Sequence, residues 1–148
     1  GRNFVHHLLQ SGQWDVVGLS RSAAEPQAGY QHIPVDLLDP DDCARALSSL
    51  SDVTHIFYAA RTPDPDFATE AELNLRLLRN LIEAVEPVAP GLAHVNVVHG
   101  TKWYGCQIGP FKTPSLEDDP RQLRPCFYYD NRTICRIAKK GNRGPGRH

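Results

Sequence analysis

The chain has 148 residues, of which 41 % are hydrophobic and 22 % are charged, and its formal net charge is −1. This length suits one domain with a real core, and this composition excludes a chain that is disordered throughout. No run reaches the roughly 18 apolar residues that cross a bilayer, and residues 1–14 lack the features of a signal peptide, so we expect a cytoplasmic protein without a membrane partner.

Hydrophobic periodicity and turn signals predict helices and strands that alternate along the chain. Asp39 followed by Pro40 is a strong helix start, because the aspartate caps the helix and proline fits its first position. In chain order, the predicted elements are a helix over 1–11, strands over 15–21 and 30–37, a helix from Pro40 to about 50, a strand over 53–60, a helix over 67–86 and a strand over 92–100.

This order of elements predicts the fold class. Parallel strands need crossover connections of a dozen or more residues, and helices usually provide them. We therefore predict an α/β fold with a Rossmann-like, doubly wound parallel sheet.

Ligands of open α/β sheets bind at the carboxyl ends of the strands, so the residues at those ends are the candidate cofactor site. Arg21 follows the first strand after a helix, where an arginine suits the 2′-phosphate of NADPH and makes NADH the less suitable cofactor. A solvated loop arginine is the alternative for Arg21, and strand-end packing is the alternative for Ala59 and Ala60. The candidate cofactor-binding residues are Gly1, as the last glycine of a G-x-x-G-x-x-G loop, and Ser20, Arg21, Asp36, Leu37, Ala59, Ala60, Thr101 and Lys102.

Two other kinds of site are not expected. The seven histidines are scattered or adjacent on a helix, so they offer no metal set. No G-x-S-x-G turn provides a serine nucleophile. The four cysteines lack CxxC spacing and are expected to be free thiols.

Lys102 and the tyrosines at 128 and 129 are the candidate chemical groups. A tyrosine hydroxyl near an ammonium group can donate a hydrogen bond or a proton to an oxygen on which negative charge develops. Hydride transfer to a carbonyl or an enone has this requirement. The alternative is that the tyrosines are core aromatics and Lys102 is a surface charge.

Several segments together resemble the progesterone 5β-reductase/iridoid synthase-like family, an atypical group of extended short-chain dehydrogenase/reductases. They are GRNFVHHLL, VVGLSR, HIPVDLLD, IFYAA, GTKWYG, GPFKTP, EDDPR and FYYD. The resemblance implies an NADPH-dependent reductase of a small enone or carbonyl substrate, with Lys102 and Tyr129 as the catalytic pair. In this reading Tyr129 hydrogen-bonds the oxygen of the forming enolate, and Lys102 supports the tyrosine and is a candidate to hold the nicotinamide ribose.

The resemblance also implies that the ends of the chain depart from the family. A first strand with its glycines is expected to be lacking before Gly1, and a substrate region is expected to be lacking after Asp130. We therefore expect residues 1–130 to be a partial NAD(P)-binding domain. Residues 131–148 carry six bases and no acid, and are expected to be a disordered tail that comes from a frameshift or a truncated gene model.

Other functions remain open at this point. A sugar-nucleotide epimerase or dehydratase would share the cofactor fold, but its Y-x-x-x-K pattern is absent from this sequence. An inactive fragment or a nonenzymatic binding module with a basic tail is the third reading, and nucleic acid is not the expected partner.

Overall fold

The computed structural model describes residues 2–22, 29–121 and 125–141, without the side chains of Arg2 and of residues 136–141. Helices and strands alternate along the chain, as the sequence predicts. They are α1 (Arg2–Ser11), β1 (Val16–Ser20), β2 (Tyr30–Pro34), α2 (Pro40–Leu47), β3 (His55–Tyr58), α3 (Phe67–Val85), β4 (His94–Val97), a 3₁₀ helix (Thr101–Tyr104) and α4 (Phe127–Gly141).

The described strands form two parallel pairs, β1 with β2 and β3 with β4. The prediction of an α/β fold with parallel strands is therefore confirmed, although the strands do not form one continuous sheet. In the doubly wound order 3-2-1-4-5-6, the first strand lies between the second and the fourth. In the same order the second strand pairs with the third and the fourth with the fifth, which is the kind of parallel pairing seen here.

Capping side chains set the starts of the two central helices. Asp39 accepts hydrogen bonds from the backbone N–H groups of Asp41 and Asp42 at 3.0 and 3.1 Å, and Pro40 occupies the first helical position. Asp66 accepts the backbone N–H of Thr69 at 2.8 Å and so begins α3. These caps satisfy N–H groups that have no partner within the helix.

One apolar core joins the two strand pairs. Helices α2 and α3 bury Leu47, Leu78 and Val85 in a cluster that also contains Ile56 and Tyr58 of β3. Residues from β1 and β2 pack against the same cluster. The two strand pairs therefore share one core beneath α2 and α3.

Helix α1 lies on the opposite face of β3. Phe57 points away from its buried neighbours Ile56 and Tyr58, and its ring centroid lies 4.7 Å from that of Phe4 in α1. Side chains alternate between the two faces of a strand, so α1 lies against the face that α2 and α3 leave open and covers part of it, with Phe57 still 39 % exposed. Strand β3 thus has helices on both faces, as a doubly wound fold requires.

Helix α4 extends past residue 130 into the segment for which a disordered tail is predicted. The helix ends at Gly141; within it Asn131 is 1 % exposed, and Ile134 and Cys135 pack against the main core. Residues 142–148 lie outside the described residues.

No helix among the described residues has the length and apolar character needed to span a membrane.

Candidate active site

Lys102 lies in the 3₁₀ helix that directly follows β4. Its ammonium Nζ donates a hydrogen bond to Glu70 Oε2 at 2.5 Å, and it sits 5.5 Å from the centre of the Phe67 ring. The Lys102 side chain is 22 % exposed. The lysine is therefore held at the carboxyl end of the strand, and part of its side chain still reaches solvent.

Glu70 in the first turn of α3 is the buried centre of this arrangement, with a side chain that is 4 % exposed. Its second oxygen, Oε1, accepts two hydrogen bonds from Arg61, at 2.6 Å from Nη2 and 3.1 Å from Nε. Burial raises the pKa of Glu70, but hydrogen bonds from Lys102 and Arg61 outweigh this and leave the pKa below its ordinary value. The carboxylate is therefore ionised at neutral pH and forms ion pairs with both Lys102 and Arg61.

Asn74 fixes the loop that carries Arg61. Its side-chain amide accepts the backbone N–H of Thr62 at 3.0 Å and donates to the carbonyl of Thr62 at 2.7 Å. The same amide group donates to the carbonyl of Glu70, and Asn74 is fully buried. The loop after β3 is thus attached to α3 by paired hydrogen bonds.

Tyr129 is buried rather than placed at the open edge. Its hydroxyl donates a 2.6 Å hydrogen bond to the carbonyl of Trp103, and the residue is 1 % exposed. Its ring meets the Trp103 ring edge-on at 4.8 Å and has the Arg121 guanidinium 5.3 Å from its centre. These contacts fasten α4 to the 3₁₀ helix that carries Lys102.

Tyr128 approaches the end of β4. A methyl group built on Gly100 would lie 3.3 Å from the Tyr128 hydroxyl oxygen, so the absence of a side chain at Gly100 makes room for the phenol. Burial raises the pKa of Tyr128, while the charge of Arg61 and a hydrogen bond with the Gly100 backbone act in the opposite direction. The Tyr128 hydroxyl therefore shares an electrostatic environment with Arg61, the partner of Glu70.

His99 lies between the aromatic rings of this edge. Its ring stacks on Trp103 at 5.2 Å and lies 4.8 Å from the ring of Tyr128. Burial lowers the pKa of His99, and the nearby charge of Arg132 lowers it further. Both effects favour the neutral imidazole, whose ring packs against that of Tyr128.

The predicted cofactor residues of the first strand pair differ in exposure and in the hydrogen bonds that they make. Arg21 is exposed. The Ser20 hydroxyl instead donates to the carbonyl of Ser22 and lies 2.8 Å from His32 Nε2. The side chain of Asp36 accepts the backbone N–H of Leu38 at 2.9 Å.

The remaining predicted cofactor residues also differ in exposure and in hydrogen bonding. Ala59 and Ala60 are exposed at the end of β3. The Thr101 hydroxyl accepts a hydrogen bond from Cys106 Sγ at 3.2 Å. Leu37 is buried, and its carbonyl accepts the side-chain amide of Asn80 at 2.8 Å. Gly1 lies outside the described residues.

Sequence reasoning missed the role of Glu70, although a signal was present. Glu70 and Asn74 fall on the same stripe of α3 as Leu77, Leu78 and Leu81, which are buried. Residues three and four positions apart share a helix face, so an acid on this stripe had to be buried. A buried acid needs a cationic partner, and the strand-end cations Arg61 and Lys102 were the available ones.

In the part of the chain that the structure describes, no group of three or more His, Cys, Asp or Glu side chains could hold a metal ion.

The chain is similar in sequence to a curated reductase and to curated enol synthases. The chain is 36 % identical over 135 residues to a 3-oxo-Δ(4,5)-steroid 5-β-reductase of Arabidopsis thaliana, covering 83 % of this chain and 34 % of that protein. It is 36 % identical over 130 residues to the (S)-8-oxocitronellyl enol synthase CYC2 of Camptotheca acuminata, covering 80 % and 33 %. The ISY1 enol synthase of Nepeta racemosa is 35 % identical over 135 residues, covering 83 % and 34 %.

Solved structures resemble the fold over almost the whole chain. The Bordetella bronchiseptica enzyme WbmG in complex with NAD matches with a TM-score of 0.69 at 21 % identity, covering 91 % of this chain and 45 % of that chain. The enzyme WbmH of the same organism, in complex with NAD⁺, matches with a TM-score of 0.65 at 15 % identity, covering 95 % and 48 %. At these identities the likeness shows the fold alone, and it confirms a Rossmann-like α/β architecture.

No protein-family model matches the chain. The chain spans about a third of the length of the curated relatives it matches. Within that span, its resemblance to the progesterone 5β-reductase/iridoid synthase-like family is confirmed.

Proposed function

We propose that this chain is the cofactor-binding part of an NADPH-dependent reductase that reduces the C=C bond of an enone, or a carbonyl group, of a small molecule. The observation that carries the proposal is that Lys102 lies in the 3₁₀ helix after β4 and that the Tyr128 hydroxyl lies beside Gly100, between the same strand and helix. The identity to a steroid 5-β-reductase supports the reaction class. In this proposal residues 1–130 form the cofactor-binding domain, and α4 extends it.

The exposed strand ends support a bound dinucleotide. Ala59 and Ala60 have no side chain beyond Cβ and are exposed where β3 ends, so a planar ligand could approach the backbone closely. Arg21 is exposed and available for a 2′-phosphate, whereas Ser20 and Asp36 already make hydrogen bonds within the protein. We therefore assign Arg21 and the two alanines as the cofactor contacts among the predicted residues.

The proposed chemistry needs a hydrogen-bond donor and a fixed positive charge. Bound NADPH would supply the hydride. As negative charge develops on the substrate oxygen, a tyrosine hydroxyl donates a hydrogen bond to it, and the Lys102 ammonium stabilises that charge. Glu70 keeps Lys102 at the strand end during this step.

Either of the adjacent tyrosines is a candidate for the donor. The sequence motif assigns Tyr129, and that assignment stays a prediction. The geometry supports Tyr128 instead, because the Tyr129 hydroxyl already donates to the carbonyl of Trp103 inside a buried cluster. Tyr128 is only partly buried and faces Gly100 at the strand end.

Replacement of these side chains tests the reaction. Because the chain spans about a third of its relatives, we would place residues 1–130 into the Arabidopsis 5-β-reductase in place of the matching segment, and follow NADPH oxidation with cyclohexenone. Lys102→Ala and Tyr128→Phe should each lower kcat by about 10²-fold or more. Tyr129→Phe should retain most of the turnover. Unchanged turnover in Lys102→Ala and in both tyrosine variants would exclude this mechanism.

Arg21 provides a separate test of cofactor choice. Arg21→Ala in the unmodified chain should weaken NADPH binding by on the order of ten-fold or more and leave NADH binding nearly unchanged, because only NADPH carries the 2′-phosphate. Titration calorimetry with both nucleotides measures this difference. Arg45→Ala is the matched control, since Arg45 is exposed on α2 and pairs with Asp42. Equal losses for both nucleotides would contradict the assignment of Arg21.

A further inference from the structure

We propose that Glu70 is the positioning residue of this site, and that its carboxylate holds both the Lys102 ammonium and the Arg61 guanidinium at the carboxyl edge of the β3–β4 pair. The reductase role of Lys102 rests on the proposed function. The positioning contact itself can be tested without that role.

Each oxygen of Glu70 serves a different cation. Oε2 accepts Lys102 from the end of β4, and Oε1 accepts Arg61 from the loop after β3. Hydrogen bonds between ionised partners are shorter and stronger than neutral ones. One carboxylate on α3 therefore sets the relative positions of two neighbouring strand ends.

The burial of Glu70 means that its carboxylate depends on these two cations more than the cations depend on it. The Glu70 side chain is 4 % exposed, while those of Lys102 and Arg61 are 22 % and 46 % exposed. A buried carboxylate without a cation would be strongly disfavoured, so Glu70 must keep at least one of its partners. Water can hydrate Lys102 and Arg61 in place of the carboxylate, so Glu70 is the residue that restrains them.

Among the described residues, the Lys102 ammonium is recorded with one hydrogen-bond acceptor. An ammonium group has three donors, and Glu70 accepts one of them. A small cavity adjoins the pair and is lined by Phe67, Glu70, Lys102, Gln107, Pro125, Cys126 and Phe127. The side-chain oxygen of Gln107 is buried without a hydrogen-bond partner among the described residues. The restrained ammonium therefore faces a space that has an acceptor but no second carboxylate in its lining.

Chemical labelling tests the contact in the chain as it exists. The sequence has four lysines, so the acetylation rate of Lys102 can be followed by peptide mass spectrometry with Lys112 as the internal reference. Glu70→Gln keeps the shape of the side chain and removes its charge, and it should raise the Lys102 rate by on the order of ten-fold. Glu72→Gln, an exposed position on the same helix, should leave the rate unchanged.

A second variant covers the case in which Glu70→Gln does not fold. Glu70→Asp keeps the charge but shortens the side chain by one methylene, so Lys102 should be labelled at an intermediate rate. A Lys102 rate equal to that of the parent in whichever variants fold would overturn the proposal.

Kinetics in the reductase chimera separate positioning from a purely structural role. Glu70→Gln should lower kcat and leave the KM for cyclohexenone nearly unchanged, since in this proposal Glu70 acts on the reaction through Lys102. Faster labelling with an unchanged kcat would overturn the positioning role. An inactive parent chimera would count against the proposed function, and the labelling result would still decide whether Glu70 holds Lys102.

Discussion

Tyr128 and Tyr129 are adjacent in sequence and lie in opposite environments. The hydroxyl of Tyr129 is fixed inside a cluster with Trp103 and Cys126, whereas that of Tyr128 reaches the strand end at Gly100. On a helix, consecutive residues point in directions about 100° apart, so one of the pair faces the interior when the other faces the edge. In the proposed reaction, Tyr129 therefore contributes to stability and Tyr128 to the chemistry.

Phenylalanine substitutions should separate these two contributions. Tyr129→Phe removes a buried hydroxyl and leaves the Trp103 carbonyl without this donor, so the free energy of unfolding should fall by about 1–2 kcal/mol. Tyr128→Phe should change it by less than about 0.5 kcal/mol. Urea unfolding of both variants measures the difference. A larger loss for Tyr128→Phe than for Tyr129→Phe would contradict the contacts described.

The ion pairs of Glu70 predict how stability depends on pH. The pKa of Glu70 is lower in the folded chain than its ordinary value of 4.5, so folding favours the ionised form. Its contribution is therefore fully present above the unfolded pKa and is lost as the pH falls through the folded pKa. Glu70→Gln should lower the free energy of unfolding by about 1–3 kcal/mol at pH 7, and this difference should shrink steadily below pH 4.5.

Denaturant unfolding at a series of pH values measures this dependence. Glu72→Gln is again the control, because Glu72 is exposed and should show no such trend. A Glu70→Gln effect that stays constant down to acid pH would show that the charge of Glu70 does not stabilise the fold.

Sequence reasoning located the position of Lys102 but not its partner. A lysine after an apolar strand is visible from local sequence, because strand ends follow from hydrophobic pattern and turn residues. The Glu70–Lys102 contact joins residues 32 positions apart, and the spacing of one chain does not specify such a pair. The choice between Tyr128 and Tyr129 depends on the rotation of α4, which packing sets rather than the motif.

At the scale of elements, α4 connects the two apolar clusters. Tyr129 belongs to the cluster around Trp103, while Ile134 and Cys135 pack against the main core. Helix α4 therefore has a structural role in residues that the sequence analysis assigned to a tail.

Shortening Ile134 tests this role. Ile134→Ala should lower the free energy of unfolding by about 1–2 kcal/mol, below the range for a fully buried isoleucine because Ile134 is only partly buried. Leu116→Ala is the matched control, since Leu116 is 50 % exposed and should change stability by less than about 0.5 kcal/mol. Equal effects of the two substitutions in thermal or urea unfolding would mean that this part of α4 does not support the core.

Most element types in the described range were predictable, but strand lengths were not. The predicted strand over 53–60 is observed as His55–Tyr58, and that over 92–100 as His94–Val97. Apolar residues continue beyond the last ladder hydrogen bond, so hydrophobic pattern overestimates the paired length. The 3₁₀ helix at Thr101–Tyr104 was not predicted, because it depends on the tight turn closed by Gly105 in the left-handed region.

At the scale of the whole molecule, shared packing predicts a single unfolding transition. Both strand pairs contribute to one core, and α4 links that core to the cluster around Trp103. Domains of this size usually unfold in an all-or-none manner when their parts are joined by one core.

A single tryptophan reporter tests this cooperativity. Trp14→Phe removes the exposed tryptophan and leaves Trp103, which is 9 % exposed, as the fluorescent probe. The melting curve from Trp103 fluorescence should coincide with that from far-ultraviolet circular dichroism. A fluorescence transition at lower temperature would mean that the Trp103 cluster opens before the main core.

The hydrogen bond from Asn80 to the carbonyl of Leu37 closes a long loop of chain. The two residues are 43 positions apart, so α3 pins the turn after β2 from a distance. The entropy of closing such a loop grows only with the logarithm of its length, and doubling it would cost about 0.6 kcal/mol. The turn between α2 and β3, which lies inside this loop and is mostly exposed, is therefore the place where the fold can accept added residues at small thermodynamic cost.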